Sequence, residues 1–383
     1  MKDFGFNIMQ NCQFGMGALK RLPDFLKACG SDNVLIVSDR GLEAIGIVEK
    51  VQGIVQAAGL KCSMFLDVLP NPTVDIVNAC GKVYKESGAN GLLALGGGSP
   101  MDVAKAVAVV ARYGGSVTNY EGPGKVPGPV DPIIAIPTTA GTGSEVTTAA
   151  VITDTTRNYK LTVFSPEISP KYAVLDPELI MTAPPSVAAA CGLDAFIHAM
   201  EPYINTAATP FTDMLSEKAM ELIGANIRRF VANRNDEDAA CAMMVGSTFA
   251  GISFSFAMLG NIHAMSHPVS AYFNVPHGVA NAILMPTCLE YNALADQGRY
   301  ARIYQYVTGR DPGPCFRPEM LVDEIRKLNA DLGIPAGLKA VGVTEEKIPA
   351  MAADAMKSAG AKVNPRATTP KDFEMLYHKA MPG

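Results

Sequence analysis

Short apolar runs of strand length alternate with longer amphipathic stretches over residues 1–185, and this alternation restricts the fold more than any other feature of the chain. Val34–Val37 predicts a strand followed by a helix near 42–58, and Cys62–Leu66 a strand followed by a helix near 73–87. Gly91–Leu95 predicts a further buried strand with a helix from Pro100, and Ile133–Ile136 another strand. Strands separated by helices require crossover connections, which gives a mainly parallel, Rossmann-like sheet. After Pro184 the strand-like runs stop, and Thr212–Phe230, Glu237–Met258 and Pro318–Leu332 read as helices. The expected fold is an α/β N-terminal domain, 1–185, followed by an all-helical C-terminal domain, 186–383; a chain of 383 residues is long for a single core. No repeat or charged linker separates the halves, so they are expected to pack tightly, with a ligand in the cleft between them.

Composition removes several classes of function. The net charge is −5 and Lys and Arg are scattered, which excludes the basic stripe of a nucleic-acid binder. The eight cysteines are dispersed without a C-x-x-C pair, a pattern of reduced thiols in a cytoplasmic protein. The first residues, MKDFGFNIMQNCQFGMGAL, carry an early acid and polar breaks and do not read as a signal peptide. The longest apolar stretch, Val245–Met265, contains Ser247, Thr248, Ser253, Ser255, Asn261 and His263; a bilayer penalises such a set, so a buried helix or helix pair is expected rather than a membrane span.

Four of the five histidines fall between His198 and His277. Asp194 and His198 are spaced i, i+4, as are His263 and His267, so each pair presents both side chains on one face of a helix. A carboxylate with several neutral imidazoles is a ligand set for a divalent first-row transition metal. The plainer alternative is a set of helix histidines bonded within the core.

Two glycine-rich turns follow predicted strands. In Leu95-Gly-Gly-Gly-Ser-Pro-Met-Asp102 a buried strand ends in three glycines, and a helix is expected with Ser99 as N-cap, Pro100 first and Asp102 third. Bare N–H groups at such a helix start can bind a pyrophosphate, although the same turn also serves simply to reverse the chain. It is not a G-x-G-x-x-G, and its strand is not the first in the chain. The second turn, Pro137-Thr-Thr-Ala-Gly-Thr-Gly-Ser-Glu-Val-Thr147, is dense in hydroxyls that suit phosphate and ribose. Asp39, just after Val34–Val37, stands where an acid can accept from adenosine ribose hydroxyls, or can cap a helix. An acid there repels a 2′-phosphate and favours NAD over NADP, while the adjacent Arg40 acts against that preference.

These motifs together resemble the iron-containing, or group III, alcohol dehydrogenases, which share a fold superfamily with glycerol dehydrogenase and dehydroquinate synthase. The resemblance runs nearly end to end: GGGSPMDVAKA at 96–106, PTTAGTGSEVT at 137–147, DPELI at 176–180, GLDAFIHAMEPY at 192–203, GNIHAMSHPVSAYFNVPHGVANAILMP at 260–286, and Asn364-Pro-Arg366. It implies a dehydroquinate synthase-like fold, with metal held by Asp194, His198, His263 and His277, and His267 left uncoordinated beside the substrate. It also implies that Asp39, Asn71, Gly97, Gly98, Ser99, Asp102, Thr138, Thr139, Thr142 and Lys160 line a nicotinamide cofactor, NAD. The metal implied is Fe(II), with Zn(II) as rival, since imidazole and carboxylate serve both. Many members carry an Asn shortly before the G-x-x-H segment, where this chain has Phe254-Ser255-Phe256; that leaves the substrate open. The family also implies a homodimer or larger assembly.

The activity implied is hydride transfer between a small primary alcohol or aldehyde and C4 of the nicotinamide. The metal serves as Lewis acid on the alcohol oxygen, and His267 is placed to relay the hydroxyl proton. Glycerol or propanediol dehydrogenase, or another specialised aldehyde reductase, are variants of this reading. Two rivals differ in kind. A lyase resembling dehydroquinate synthase needs Lys or Arg in its substrate pocket, and residues 245–285 contain neither. A non-catalytic nucleotide-binding protein with a closed structural metal site has no use for a fifth polar group such as His267.

Overall fold

A computed structural model describes residues 3–382 and resolves two compact units. One comprises Asn7–Thr139 and Gly143–Ala183; the other comprises Pro184 onward, together with the first residues and Ala140–Thr142.

The first unit is built on strands β1 (Asn11–Phe14), β2 (Asn33–Val37), β3 (Lys61–Phe65), β4 (Gly91–Gly96), β5 (Gly122–Pro123), β6 (Ile133–Pro137), β7 (Ala149–Asp154), β8 (Tyr159–Phe164) and β9 (Tyr172–Leu175). Six of these form a fully parallel sheet in the order β1-β9-β6-β4-β2-β3. Its helices are α1 (Leu22–Ala28), α2 (Arg40–Ala44), α3 (Ile47–Ala57), α4 (Val74–Ser87), α5 (Gly98–Tyr113) and α6 (Pro177–Ile180). The strands are apolar throughout because both faces are covered. Leu35, Val37, Leu92 and Ala94 pack with α4 and α5, while Val34, Ile36, Leu93 and Leu95 pack with α1 and α3. The connection from β2 runs outward to β3, whereas β4 returns to the other side of β2. The turns after β2 and β4 therefore diverge, which opens a crevice at the carboxyl ends of these strands.

The structure adds elements beyond those read from the sequence, among them edge strand β1, strand β9, and the antiparallel β7–β8 hairpin of a small second sheet. It also moves the start of α5. The first helical residue is Gly98 and the N-cap is Gly97, with no side-chain cap, so Ser99 does not cap the helix and Pro100 lies in its first turn rather than at its first position. The chain bends earlier because Gly96 takes φ +146, where a β-carbon would stand 2.7 Å from Pro100 Cγ. The stretch expected to be one helix over 42–58 is broken into α2 and α3 at Gly46, which has φ 78.

The second unit is helical: α7 (Pro185–Ile204), α8 (Pro210–Ala232), α9 (Glu237–Ala257), α10 (Asn261–Phe273), α11 (His277–Asn292) and shorter helices to the C-terminus. Thr209 and Thr212 form a capping box that starts α8. Among the described residues, α9 is the helix long and apolar enough to cross a membrane, and 61% of its most apolar window is buried within the protein. The Val245–Met265 stretch is a helix pair, α9 and α10, broken at Met258–Gly260.

Candidate active site

In the first unit, the two glycine-rich turns lie side by side because β4 and β6 are neighbours. Thr138 N donates to Gly96 O at 3.0 Å, and a β-carbon on Gly97 would meet Thr139 Oγ1 at 3.3 Å. Gly98 and Ser99 occupy the first turn of α5. Asp102, one turn on, accepts from Ser144 Oγ at 2.9 Å and from Val151 N at 3.1 Å. Burial raises its carboxyl above the usual range, against the opposing pull of Lys105, those two hydrogen bonds and Lys160. Lys160, on β8, donates to Asn71 Oδ1 at 2.8 Å, and Asn71 takes a left-handed φ of 53. Asp39 ends the β2 turn, where its Oδ1 accepts from Leu42 N at 3.0 Å and caps α2. Thr142 belongs with the helical unit.

Lys105 was not singled out in the sequence, yet it ties this region together. Its fully buried Nζ donates to Ser144 O, Ser144 Oγ, Thr147 Oγ1 and Ala149 O at 2.7–3.0 Å, which joins α5 to the second turn. Burial lowers its pKa to about 8, opposed by Asp102 and Glu145.

In the helical unit, α7 carries Asp194 and His198 on one face, α10 carries His263, and α11 opens with His277. One ligand atom from each of these four side chains lies within 4.8 Å of the others. Two metal–ligand bonds of ~2.1 Å set distances on this scale. The second ring nitrogens of two histidines are fixed: His198 Nδ1 lies 3.1 Å from Gly141 O, and His263 Nδ1 lies 2.6 Å from Glu201 Oε2. Such partners hold the ring so that Nε2 offers its lone pair. Burial raises the Glu201 carboxyl to about 7, opposed by backbone N–H groups of Gly260, Ile262 and His263 and by His198. His267 is half-buried, with its ring 5.3 Å from that of His277 and 6.2 Å from that of His263, outside the four-residue cluster.

Asn281, one turn after His277, is fully buried among these donors. Its Nδ2 lies 2.6 Å from Asp194 Oδ1, 3.0 Å from His263 Nε2 and 3.1 Å from His277 Nε2. Its Oδ1 is buried without a hydrogen-bond partner. Three acceptors that converge on one N–H₂ group form a pocket shaped for positive charge, so the donor set fits a divalent cation. Phe254 stacks obliquely on His198 with ring centroids 4.6 Å apart, which places an apolar wall beside the donors. Glu201 and Asn281 both carried a sequence signal: each sits at helical spacing from a histidine, and Glu201 is one of only two charged residues in α7.

Comparison with known proteins follows the same division. Residues 10–177 match the iron-containing alcohol dehydrogenase profile, and residues 188–381 match the C-terminal profile of that family. Fold and matches together define a metal-dependent oxidoreductase of alcohols and aldehydes. The lactaldehyde reductase of Escherichia coli K12 is 40% identical over 371 residues, spanning 96% of this chain and 97% of its own. A crystal structure of 1,3-propanediol oxidoreductase superposes with TM-score 0.95 at 33% identity, covering 99% of this chain and 100% of that one. The sulfoacetaldehyde reductase of Bifidobacterium kashiwanohense, solved in complex with NAD+, superposes with TM-score 0.88 at 29% identity and 99% coverage of both chains. The chain belongs to the iron-containing alcohol dehydrogenase family.

Proposed function

We propose that the chain is an NAD-dependent dehydrogenase of a small, uncharged primary alcohol, or the reductase of its aldehyde, with Asp194, His198, His263 and His277 as the metal ligands. The convergence of these four donors from three helices carries the reading. Fe(II) is the proposed metal and Zn(II) its rival; the ion, when bound, acts as a Lewis acid on the substrate oxygen. Residues 1–185 bind the cofactor and 186–383 the metal and substrate. Gly97, Gly98 and Ser99 offer backbone at a helix start to the pyrophosphate. Asn71, Asp102, Thr138, Thr139, Thr142 and Lys160 line the rest of the cofactor, and Asp39 takes the adenosine ribose. An uncharged substrate is supported by Phe254 beside His198 and by the lack of Lys or Arg in residues 245–285. The enzyme is cytoplasmic and works as a homodimer or larger assembly. The test is NADH formation or consumption with ethanol, butanol, propanediol and their aldehydes on Fe(II)- and Zn(II)-reconstituted protein. Absence of metal-dependent turnover across the panel overturns the substrate class.

His267 moves the hydroxyl proton toward solvent. His267→Ala should keep its metal and lose rate by ~10²-fold or less, because water can replace a relay. Loss of metal from this variant makes His267 a ligand and reassigns one of the four.

Cofactor choice turns on Asp39. The cation next to it, Arg40, is paired with Asp67 at 2.9 Å and Glu43 at 3.0 Å, so a 2′-phosphate has to compete with two carboxylates for it. Unit charges 4 Å apart interact by ~4 kcal/mol at an effective dielectric of 20, and a third of that gives roughly tenfold discrimination. Asp39→Gly should raise kcat/KM with NADP by about tenfold, with little loss of helix capping. Equal use of NAD and NADP by the unmutated enzyme sinks this assignment.

A further inference from the structure

The two oxygens of Glu201 do different work. The side chain is 2% exposed and lies on the same face of α7 as Asp194 and His198. Oε1 accepts from Ile262 N at 2.7 Å, and Oε2 meets His263 Nδ1 at 2.6 Å. Helix α10 begins after Gly260, which has no side chain to cap it. Its first N–H groups are met from elsewhere in the unit, by Glu201 and by Asn364 Oδ1, which accepts from Asn261 N at 3.3 Å. Glycine is needed at 260, because a β-carbon there would stand 2.9 Å from Glu201 Oε1.

Asn281 Nδ2 lies 3.0 Å from His263 Nε2 and can only donate, so Nε2 accepts and the neutral ring carries its proton on Nδ1, facing Glu201 Oε2. Nε2 thus carries no proton and faces the donor cluster, 3.8 Å from Asp194 Oδ1. We propose that Glu201 is the positioning residue that makes His263 a metal ligand, with one oxygen anchoring the start of α10 and the other fixing the ring's tautomer. This rests on the reading of Asp194, His198, His263 and His277 as the metal centre.

Glu201→Gln separates the two roles. Glutamine keeps an oxygen for Ile262 N but turns an N–H₂ toward His263 Nδ1. That nitrogen must then accept, the ring proton moves to Nε2, and the lone pair needed for coordination is lost. The reverse amide orientation sets two donors against each other at Ile262. The helix anchor therefore survives while the tautomer inverts.

Metal affinity is read by chelator competition with Zn(II) and Co(II), and folding by Tm. Glu201→Gln should bind both metals ~10–100-fold more weakly than the wild type, the usual penalty for losing such a partner, with Tm of the metal-stripped protein nearly unchanged. Histidine nitrogen NMR of the stripped protein should move one ring from the Nδ1–H to the Nε2–H form. Glu201→Ala should lose affinity and also lower Tm, because the anchor goes too. Wild-type affinity in Glu201→Gln, or an equal fall in Tm for both variants with affinity intact, reduces Glu201 to a helix cap and overturns the proposal. His263→Ala is the control: if it too keeps wild-type affinity, the metal-centre reading fails instead.

Discussion

Asp194→Ala and His263→Ala should each yield folded protein without bound metal and without measurable turnover. Asp194 supplies the only carboxylate of the four-donor cluster, and its Oδ1 lies 3.8 Å from both His198 Nε2 and His263 Nε2. Both side chains are about 2% exposed, so no bulk water stands ready to take the missing position. Loss of a Lewis acid removes several kcal/mol of stabilisation from developing charge on oxygen, and at 1.36 kcal/mol per decade that is ~10³-fold or more in rate. Folding should survive, because alanine is the best helix former and both sites lie within helices. Elemental analysis of the purified variants checks the point: full metal occupancy in either one would falsify that ligand. The contrast with His267→Ala, where metal stays and the rate falls far less, separates coordination from proton transfer.

Part of this centre was legible from spacing alone. Asp194 and His198, four apart among alanines and other apolar residues, can only share one face of a helix, and the structure places them so. That α10 and α11 bring His263 and His277 against that face is a tertiary fact, which in the sequence rested on resemblance. Asn281 and Glu201 were missed because an amide and a second acid do not stand out as ligands. Their positions one turn from His277 and His198 were nevertheless open to the same spacing argument. The residues proposed for the cofactor are less uniform. Asn71 and Lys160 meet across 89 residues of chain, a pairing that no local pattern encodes.

The fold was read best where burial is two-sided. β2, β4 and β6 are continuous apolar runs, and each was expected within a residue or two of its place. β1 is the opposite case: Asn-Cys-Gln-Phe at a sheet edge has no hydrophobic signature, and it is a strand because β9 pairs with it. The β7–β8 hairpin carried a usable signal, since Tyr159-Lys-Leu-Thr-Val163 alternates apolar and polar residues after a polar turn. The misplaced start of α5 has a local cause. Ser99 looks like a cap by residue type, but Gly96 bends the chain first and leaves the serine inside the helix.

Lys105→Met should destabilise the protein by about 3 kcal/mol, near the lower end of the ~3–5 kcal/mol cost of leaving a buried charge without its compensating partner. The ammonium is fully buried and donates to four oxygens from residues 144–149, with Asp102 supplying the compensating charge. Methionine keeps the length of the stem but takes the ammonium donor from Ala149 O, while Ser144 O keeps Thr147 N at 3.3 Å, and it leaves Asp102 without the cation that most favours its charge. Asp102 offsets part of this by taking a proton, since burial already raises its carboxyl, and so the lower end of the range is expected. Against a total stability of ~5–15 kcal/mol this is a large fraction, and the urea midpoint should fall accordingly. The pH dependence supplies a second signature. The folded pKa of about 8 is below the ordinary lysine value of 10.5, so between these values the unfolded chain binds more protons and stability rises with pH. Wild type should therefore gain stability relative to Lys105→Met from pH ~8 to ~10.5. A variant within 1 kcal/mol of wild type, with a pH-independent difference, means that the turn at 144–149 holds its shape without the lysine and that α5 is positioned by packing alone.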